Sequence, residues 1–393
     1  MIDYRNPYTP GAGVMPKYLA GRDALLADAE KRLQAISTGY QTRSLVYYGL
    51  RGVGKTVVLN RVESAAESLN MLVRHIEVQE RRDFVKALAM ACSAFVLNLS
   101  TRESLRDKVS RLLSVIKSFS ARWNPEDNTL SFELGDRAFE AATAGTGDLA
   151  NDLTELLVSL GKYAQLARAS ICFCIDEVQY AKNSELDALM TALHRSNQLG
   201  LPIIFFCAGL PKILKSMGDA KSYSERLFEF IEVDSLSEPE ARAAICMPAE
   251  RLRVAYSEEA IRLIIGYTEG YPYFIQELCN TIWDTGSDIL VDDALVKHCL
   301  PLTEQKLDAG FFNVRYKRCT PREQDFLAAM VACGDLPCTI VNVATNMNST
   351  VPSISPIRAN LISKGLIYST GRGEIDFTVP QFDTFIRRVC QNC

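Results

Sequence analysis

Four short apolar runs, at 45–48, 71–78, 170–175 and 201–208, are separated by stretches whose apolar residues recur at helical spacing. Leu25, Leu26, Ala29, Leu33 and Ile36 mark a helix before the first run, and Val57, Val58, Val62 and Ala66 mark one after it. Residues 84–99 form a strongly apolar helix, and 184–196 another. Apolar runs with little polar alternation fit strands buried on both faces, and their alternation with helices predicts a parallel α/β sheet. From Ser237-Glu238-Pro239-Glu240 onward the periodicity is helical only, through 241–247, 258–267 and 274–283, which predicts a helical lid after the sheet. Thr285-Gly286-Ser287-Asp288 breaks it before a further helix that runs to about Phe312.

The last domain boundary falls near 315. Thr320-Pro321-Arg322-Glu323 is a capped helix start, and helices are predicted over 321–333, 339–347 and 353–364. Gly365-Leu366-Ile367-Tyr368 then leads into the hairpin STGRGEIDFTV, and 381–389 closes the chain as a helix. Three helices, a hairpin and a closing helix describe a winged helix-turn-helix. At the other end, residues 1–17 are rich in Pro and Gly and predict an extended lead-in rather than a packed element. Residues 101–150 are the least patterned: an amphipathic helix at 104–118, a short hairpin at 123–135, a loop at 141–147 and a helix capped by Gly147-Asp148. This block reads as an insertion or partner surface within a core of 18–235, or equally as a packed extension. The lid then occupies 236–314 and the winged helix 315–393.

The chemistry begins where the first strand ends. Gly49, Leu50, Arg51, Gly52, Val53, Gly54, Lys55 and Thr56 fit G-x-x-x-x-G-K-[ST], and Val57 opens the helix behind them. Glycines let successive N–H groups curl toward phosphate oxygens, and the helix N-terminus adds its dipole. Lys55 then reaches the β/γ-phosphates and the Thr56 hydroxyl ligates Mg²⁺. A chance glycine turn is the alternative, but the strand before and the helix after meet the required context. The 170–175 run stops on Asp176-Glu177. Asp176 suits a Mg²⁺-orienting carboxylate and Glu177 the group that polarises the attacking water. The 201–208 run is a strand that commonly ends in a polar γ-phosphate sensor; here it offers only Cys207 and the Ala208-Gly209 backbone. Arg226 is read either as an arginine finger reaching a neighbouring subunit or as a surface arginine paired with Glu225 or Glu229.

Composition narrows the partners. The 393 residues are 48% hydrophobic and 23% charged with a net charge of -4, the balance of a soluble globular protein rather than one coated in nucleic acid. From Tyr316 to Cys393 there are 8 Lys+Arg and 6 Asp+Glu, a net of +2 and thin for a dedicated DNA reader. Arg358, Lys364 and the wing-tip Arg372 are the DNA-contact candidates; docking to a protein is the other use of such a domain. No apolar run approaches a membrane span, and MIDYRNPYTP lacks a signal layout, so a cytoplasmic protein is expected. Twelve cysteines and three histidines form no zinc spacing, and Cys390-x₂-Cys393 is half a motif, so buried or frayed reduced thiols are expected.

With these residues in view, the chain resembles P-loop ATPases of the AAA+ and STAND type over roughly 18–390. Leu19-Ala20-Gly21-Arg22-Asp23 is, on spacing alone, a helix start with an acidic first turn. It also resembles the hydrophobic-G-R-E motif that lies against adenine in these families, which implies a nucleotide role for Gly21 and Arg22. Gly270-Tyr271-Pro272 resembles the lid G-x-P motif of STAND ATPases, implying one for Pro272. The order of motif, core, lid and winged helix is similar to that of origin-recognition initiator ATPases. Asp176-Glu177-Val178-Gln179 and Ala208-Gly209-Leu210-Pro211 resemble transposition-regulator and secretion-associated ATPases with a D-E-x-Q motif. The expectation is an ATP- and Mg²⁺-dependent switch with slow hydrolysis. Its nucleotide state (ATP or ADP) would govern homo-oligomerisation and binding to duplex DNA or an effector protein. The alternative is a signalling or scaffold regulator of a partner effector that holds nucleotide with little turnover and no DNA binding.

Overall fold

Five strands form one parallel sheet. In the computed structural model, which describes residues 5–79, 84–99, 123–124, 129–130, 148–220 and 224–391, they are β1 (Ser44–Tyr48), β2 (Leu72–Glu77), β5 (Ile171–Asp176), β6 (Ile203–Gly209) and β7 (Phe228–Glu232). A two-residue antiparallel pair, β3 (Trp123–Asn124) and β4 (Thr129–Leu130), falls within the predicted hairpin. The rest of that hairpin, the 104–118 helix and the 141–147 loop lie outside the described residues. The strand order is β2-β5-β6-β1-β7, every neighbouring pair parallel. Every residue of β5 and β6 is buried, as helices on both faces require. Phe173 and Phe205 stack at 4.7 Å across these strands, with Phe95 edge-on to Phe173. The order reverses around β1, and in open α/β sheets such a switch point, at the carboxyl ends of the strands, is where ligands bind.

Internal packing divides the chain into two units that do not follow the sequence in order. The sheet unit comprises residues 22–48 and 55–232. The second comprises 1–21, 49–54 and 233–393. Within the second unit, aromatic packing joins residues on either side of 315. Phe312, at the end of a π-helical turn Leu307–Phe312, lies 5.8 and 5.4 Å from Phe382 and Phe385 of the closing helix Phe382–Gln391. Arg388 on that helix adds ion pairs to Asp308 and Glu304, both 2.6 Å.

The N-terminal segment is packed, contrary to its reading as a loose lead-in. Tyr8 is buried, sends its hydroxyl to the Ile245 carbonyl and meets Trp283 edge-on at 6.0 Å. Asn6 donates to the Asn280 carbonyl at 3.1 Å and to Asp284 at 2.8 Å. Side chains of this Pro- and Gly-rich stretch tie it to the lid helices. The lid itself carries one short parallel pair, β8 (Ala255–Tyr256) with β9 (Leu290–Val291), among its helices. At the C-terminal end, helices Pro321–Val331, Ile340–Asn346 and Val351–Ser363 precede β11 (Ile367–Gly371) and β12 (Glu374–Phe377). A two-residue strand β10 (Cys338–Thr339) pairs with β12, giving a three-stranded antiparallel sheet. Three helices, a hairpin and a closing helix thus follow one another in the expected order. The eleven described cysteines are free thiols, and no described helix is long and apolar enough to cross a membrane.

Candidate functional site

In the sheet unit, Lys55 begins the helix Lys55–Ser68 and is buried, as is Val57. Thr56 follows Lys55 on that helix, and its hydroxyl donates to Asp176 Oδ2 at 2.6 Å. The other Asp176 oxygen accepts the Glu177 N–H at 2.8 Å, so the buried carboxylate is held from both sides. The two residues expected to hold Mg²⁺ are therefore adjacent although 120 positions apart in sequence. A hydroxyl and a carboxylate are hard oxygen donors, a set that holds Mg²⁺ together with phosphate and water oxygens. Among the described residues no cluster of three His, Cys, Asp or Glu offers a self-sufficient metal site. Glu177 takes a left-handed backbone conformation, φ +54°, as the chain leaves β5. Its carboxylate accepts from the Gln179 side-chain amide.

Arg22 is buried and stands as the N-cap of the helix Asp23–Ser37, its carbonyl accepting the Leu26 N–H at 3.0 Å. Arg226 is exposed on the short helix Ser224–Leu227. Glu229, one of its two expected partners, pairs instead with Arg32 at 2.7 Å and Arg43 at 2.8 Å.

In the second unit, the loop 49–54 is held by lid and C-terminal elements. A side chain at Gly49 would meet the Val233 carbonyl oxygen at 2.0 Å, and Gly54 has φ +96°. Both positions therefore demand glycine, one for space and one for backbone conformation. Gly52 lies against Tyr271 and Tyr273, where a Cβ would fall 3.1 Å from each. The Gly270-Tyr271-Pro272 lid motif thus packs on the loop tip, with Pro272 opening the helix Pro272–Thr285. Gly21 packs on the other side of the lid, beside Glu240 and Leu236. The Arg51 N–H donates to the Thr378 carbonyl at 3.2 Å, and its Nε to the Gly365 carbonyl at 3.4 Å. Burial, reinforced by the Arg51 guanidinium, lowers the pKa of Arg315, which sits 3.9 Å over the Phe311 ring. Among the described residues the buried Tyr271 hydroxyl has no hydrogen-bond partner, and burial raises its pKa. Sequence reading passed over Tyr271 as a side chain because its motif drew attention to the glycine and proline.

The DNA-contact candidates divide. Arg372 is exposed at the tip between β11 and β12, while Arg358 is half-buried and bonds the Ser369 hydroxyl at 2.7 Å. Lys364 is committed within the fold: its ammonium donates to the buried Glu323 carboxylate at 2.6 Å and to the Arg318 carbonyl at 3.1 Å. Burial raises the pKa of Glu323, but Lys364 and the Thr320 N–H outweigh it and hold the group below its ordinary value. Lys364→Ala should cost about 1–2 kcal/mol, less than a fully buried pair because the lysine is partly exposed. A carboxyl held low contributes above its unfolded value of about 4.3 and loses that contribution as pH falls through its folded value. Urea midpoints of the two proteins should therefore converge in acid; a constant difference across pH would argue against the pair.

Residues 18–206 match a family model described as AAA ATPase domain, and residues 309–386 match one described as a domain of unknown function. That first match places a P-loop ATPase domain of the AAA+ type in residues 18–206 of the chain. No curated protein matches it. Among solved structures, the Aeropyrum pernix Orc1 protein in complex with DNA is 15% identical with a TM-score of 0.47, covering 96% of both chains. The Thermotoga maritima RuvB Holliday junction branch migration motor is 14% identical with a TM-score of 0.44, over 96% of this chain and 99% of that one. Drosophila ORC bound to DNA is 15% identical with a TM-score of 0.41, over 96% and 88%. Likenesses this loose assign neither substrate nor partner to this chain.

Proposed function

We propose that the protein is an ATP-dependent molecular switch whose nucleotide state controls self-association and the binding of duplex DNA or a partner protein by its C-terminal domain. The observation that carries this reading is the pair of bonds from Arg51, inside the phosphate loop, to the Thr378 and Gly365 carbonyls. A loop that rearranges around phosphate cannot keep those bonds unchanged, so occupancy and C-terminal packing become linked equilibria. Bound Mg²⁺ would neutralise charge on the phosphates. Thr56 and Asp176 supply oxygens to hold it, Lys55 and the loop N–H groups bind the phosphates, and Glu177 accepts a proton from water. Gly21, Arg22 and Pro272 belong to the nucleotide site in this reading. Arg226 is exposed, the disposition that a finger acting on a neighbouring subunit needs. Arg372 and Arg358 are the DNA-facing cations, with Lys364 set aside by its ion pair. The free thiols fit a reducing, cytoplasmic setting.

The test is ATP turnover and solution mass of the protein and of Lys55→Ala, each with and without duplex DNA at low and moderate salt. Expected are turnover and an ATP-dependent rise in mass in the parent only, with salt-sensitive DNA stimulation. The end of β6, which lacks a polar side chain, favours a second reading: a scaffold that holds nucleotide without hydrolysing it. Retained ADP, no turnover and no response to DNA would select that reading. Failure of the parent to bind nucleotide at all would sink both.

A further inference from the structure

The D-E-x-Q motif ends in a glutamine that the switch mechanism leaves without a task. Gln179 lies on the single 3₁₀ turn Val178–Tyr180 and is buried, 5% exposed. The turn is closed by the Tyr180 N–H on the Glu177 carbonyl at 3.0 Å and the Ala181 N–H on Val178 at 3.1 Å. Its side-chain oxygen accepts the Leu210 N–H at 3.0 Å. That bond fixes the amide's orientation, since only the oxygen can face an N–H, and it turns the NH₂ group to the Glu177 carboxylate. The backbone just past β6 is thereby connected to Glu177 through one side chain.

The end of β6 is shaped for this. A Cβ on Gly209 would lie 2.8 Å from Gln179 Oε1 and 3.1 Å from Val178 Cγ1. The space that a side chain at 209 would take is filled by the Gln179 amide, so a polar side chain at 209 could not stand there without displacing it.

We infer that Gln179 is a positioning residue for ATP hydrolysis, tying the Glu177 carboxylate to the end of β6 in place of a polar side chain on that strand. The inference rests on the reading of Glu177 as the group that activates water. The amide N–H holds the carboxylate in one orientation, ready to accept a proton. The Leu210 bond passes any displacement of the β6 end to that carboxylate.

Steady-state ATP turnover and ADP affinity of the full chain test this in five variants: Glu177→Gln, Gln179→Ala, Gln179→Glu, Gly209→Ala and the Gln179→Ala/Gly209→Ala double. Gln179→Ala should lower kcat about 10- to 100-fold, the usual range for a group that orients another, with KM and ADP affinity within about twofold. Gly209→Ala should lower kcat in the same manner by displacing the amide, and should add nothing in the Gln179→Ala background. It also guards against misfolding, since the atom it strikes is the far end of a side chain. Gln179→Glu keeps an acceptor for Leu210 but removes the N–H that the Glu177 carboxylate accepts, so its kcat should fall about as far as that of Gln179→Ala. Parent-like kcat in Gln179→Ala, while Glu177→Gln is dead, would overturn the inference and leave the role of Glu177 standing. Equal losses of kcat and ADP affinity would reduce Gln179 to a packing residue and also overturn it. A parent without turnover overturns both readings together.

Discussion

Glu177→Gln is expected to lower ATP turnover by about two to four orders of magnitude while leaving ATP bound, the range a positioned general base contributes. In barrier terms this is about 3–5 kcal/mol. The separation between chemistry and binding follows from the contacts. Thr56 bonds Asp176 directly, and the other Asp176 oxygen accepts from the backbone N–H of Glu177. The amide is nearly isosteric, and its oxygen still accepts from Gln179. What disappears is the negative charge that accepts a proton. Rapid-quench turnover together with nucleotide retained through desalting separates the two effects. Turnover at the parental rate would remove Glu177 from the mechanism, and loss of bound nucleotide would show it to be part of the binding site.

Phe312→Ala should destabilise the second unit by about 3–5 kcal/mol, the cost of emptying a buried aromatic position. The ring is 1% exposed and contacts Phe274, Phe311, Phe382 and Phe385 at centroid distances of 6.2, 5.2, 5.8 and 5.4 Å. Those partners come from the lid helix, the π-helical turn and the closing helix, so little local collapse can refill the space. Phe312→Leu should cost only about 1–2 kcal/mol because most of the volume is kept. Calorimetric melting of both variants distinguishes the cases; an alanine loss no larger than the leucine loss would mean that the cavity collapses.

Much of the sheet was legible because its signals are local. Uninterrupted apolar runs gave strands, Asp176-Glu177 marked the end of β5, and Thr320 with Glu323 announced a cap that the structure completes at 2.7 Å. What was not legible depends on meetings between distant positions. Nothing near Tyr8 foretells Trp283, and a two-residue strand such as β10 leaves no periodicity to read. Lys364 resembled a helix-borne cation available to phosphate until Glu323 was found against it. Gln179 was visible as a letter in a motif, but its meaning depends on an N–H 31 residues further along.

The packed N-terminal segment has a consequence in time. Tyr8 must wait for Ile245, 237 positions later, and Asn6 for Asp284, 278 positions later. At about 5–20 residues per second, synthesis separates Tyr8 from its carbonyl partner by roughly 10–50 s. Throughout that interval the segment has no surface to rest on, and the Pro- and Gly-rich composition that looked like a loose lead-in suits a stretch of chain that must stay unfolded and unattached. Its docking is a late event of chain maturation, possible only once the lid helices have been made.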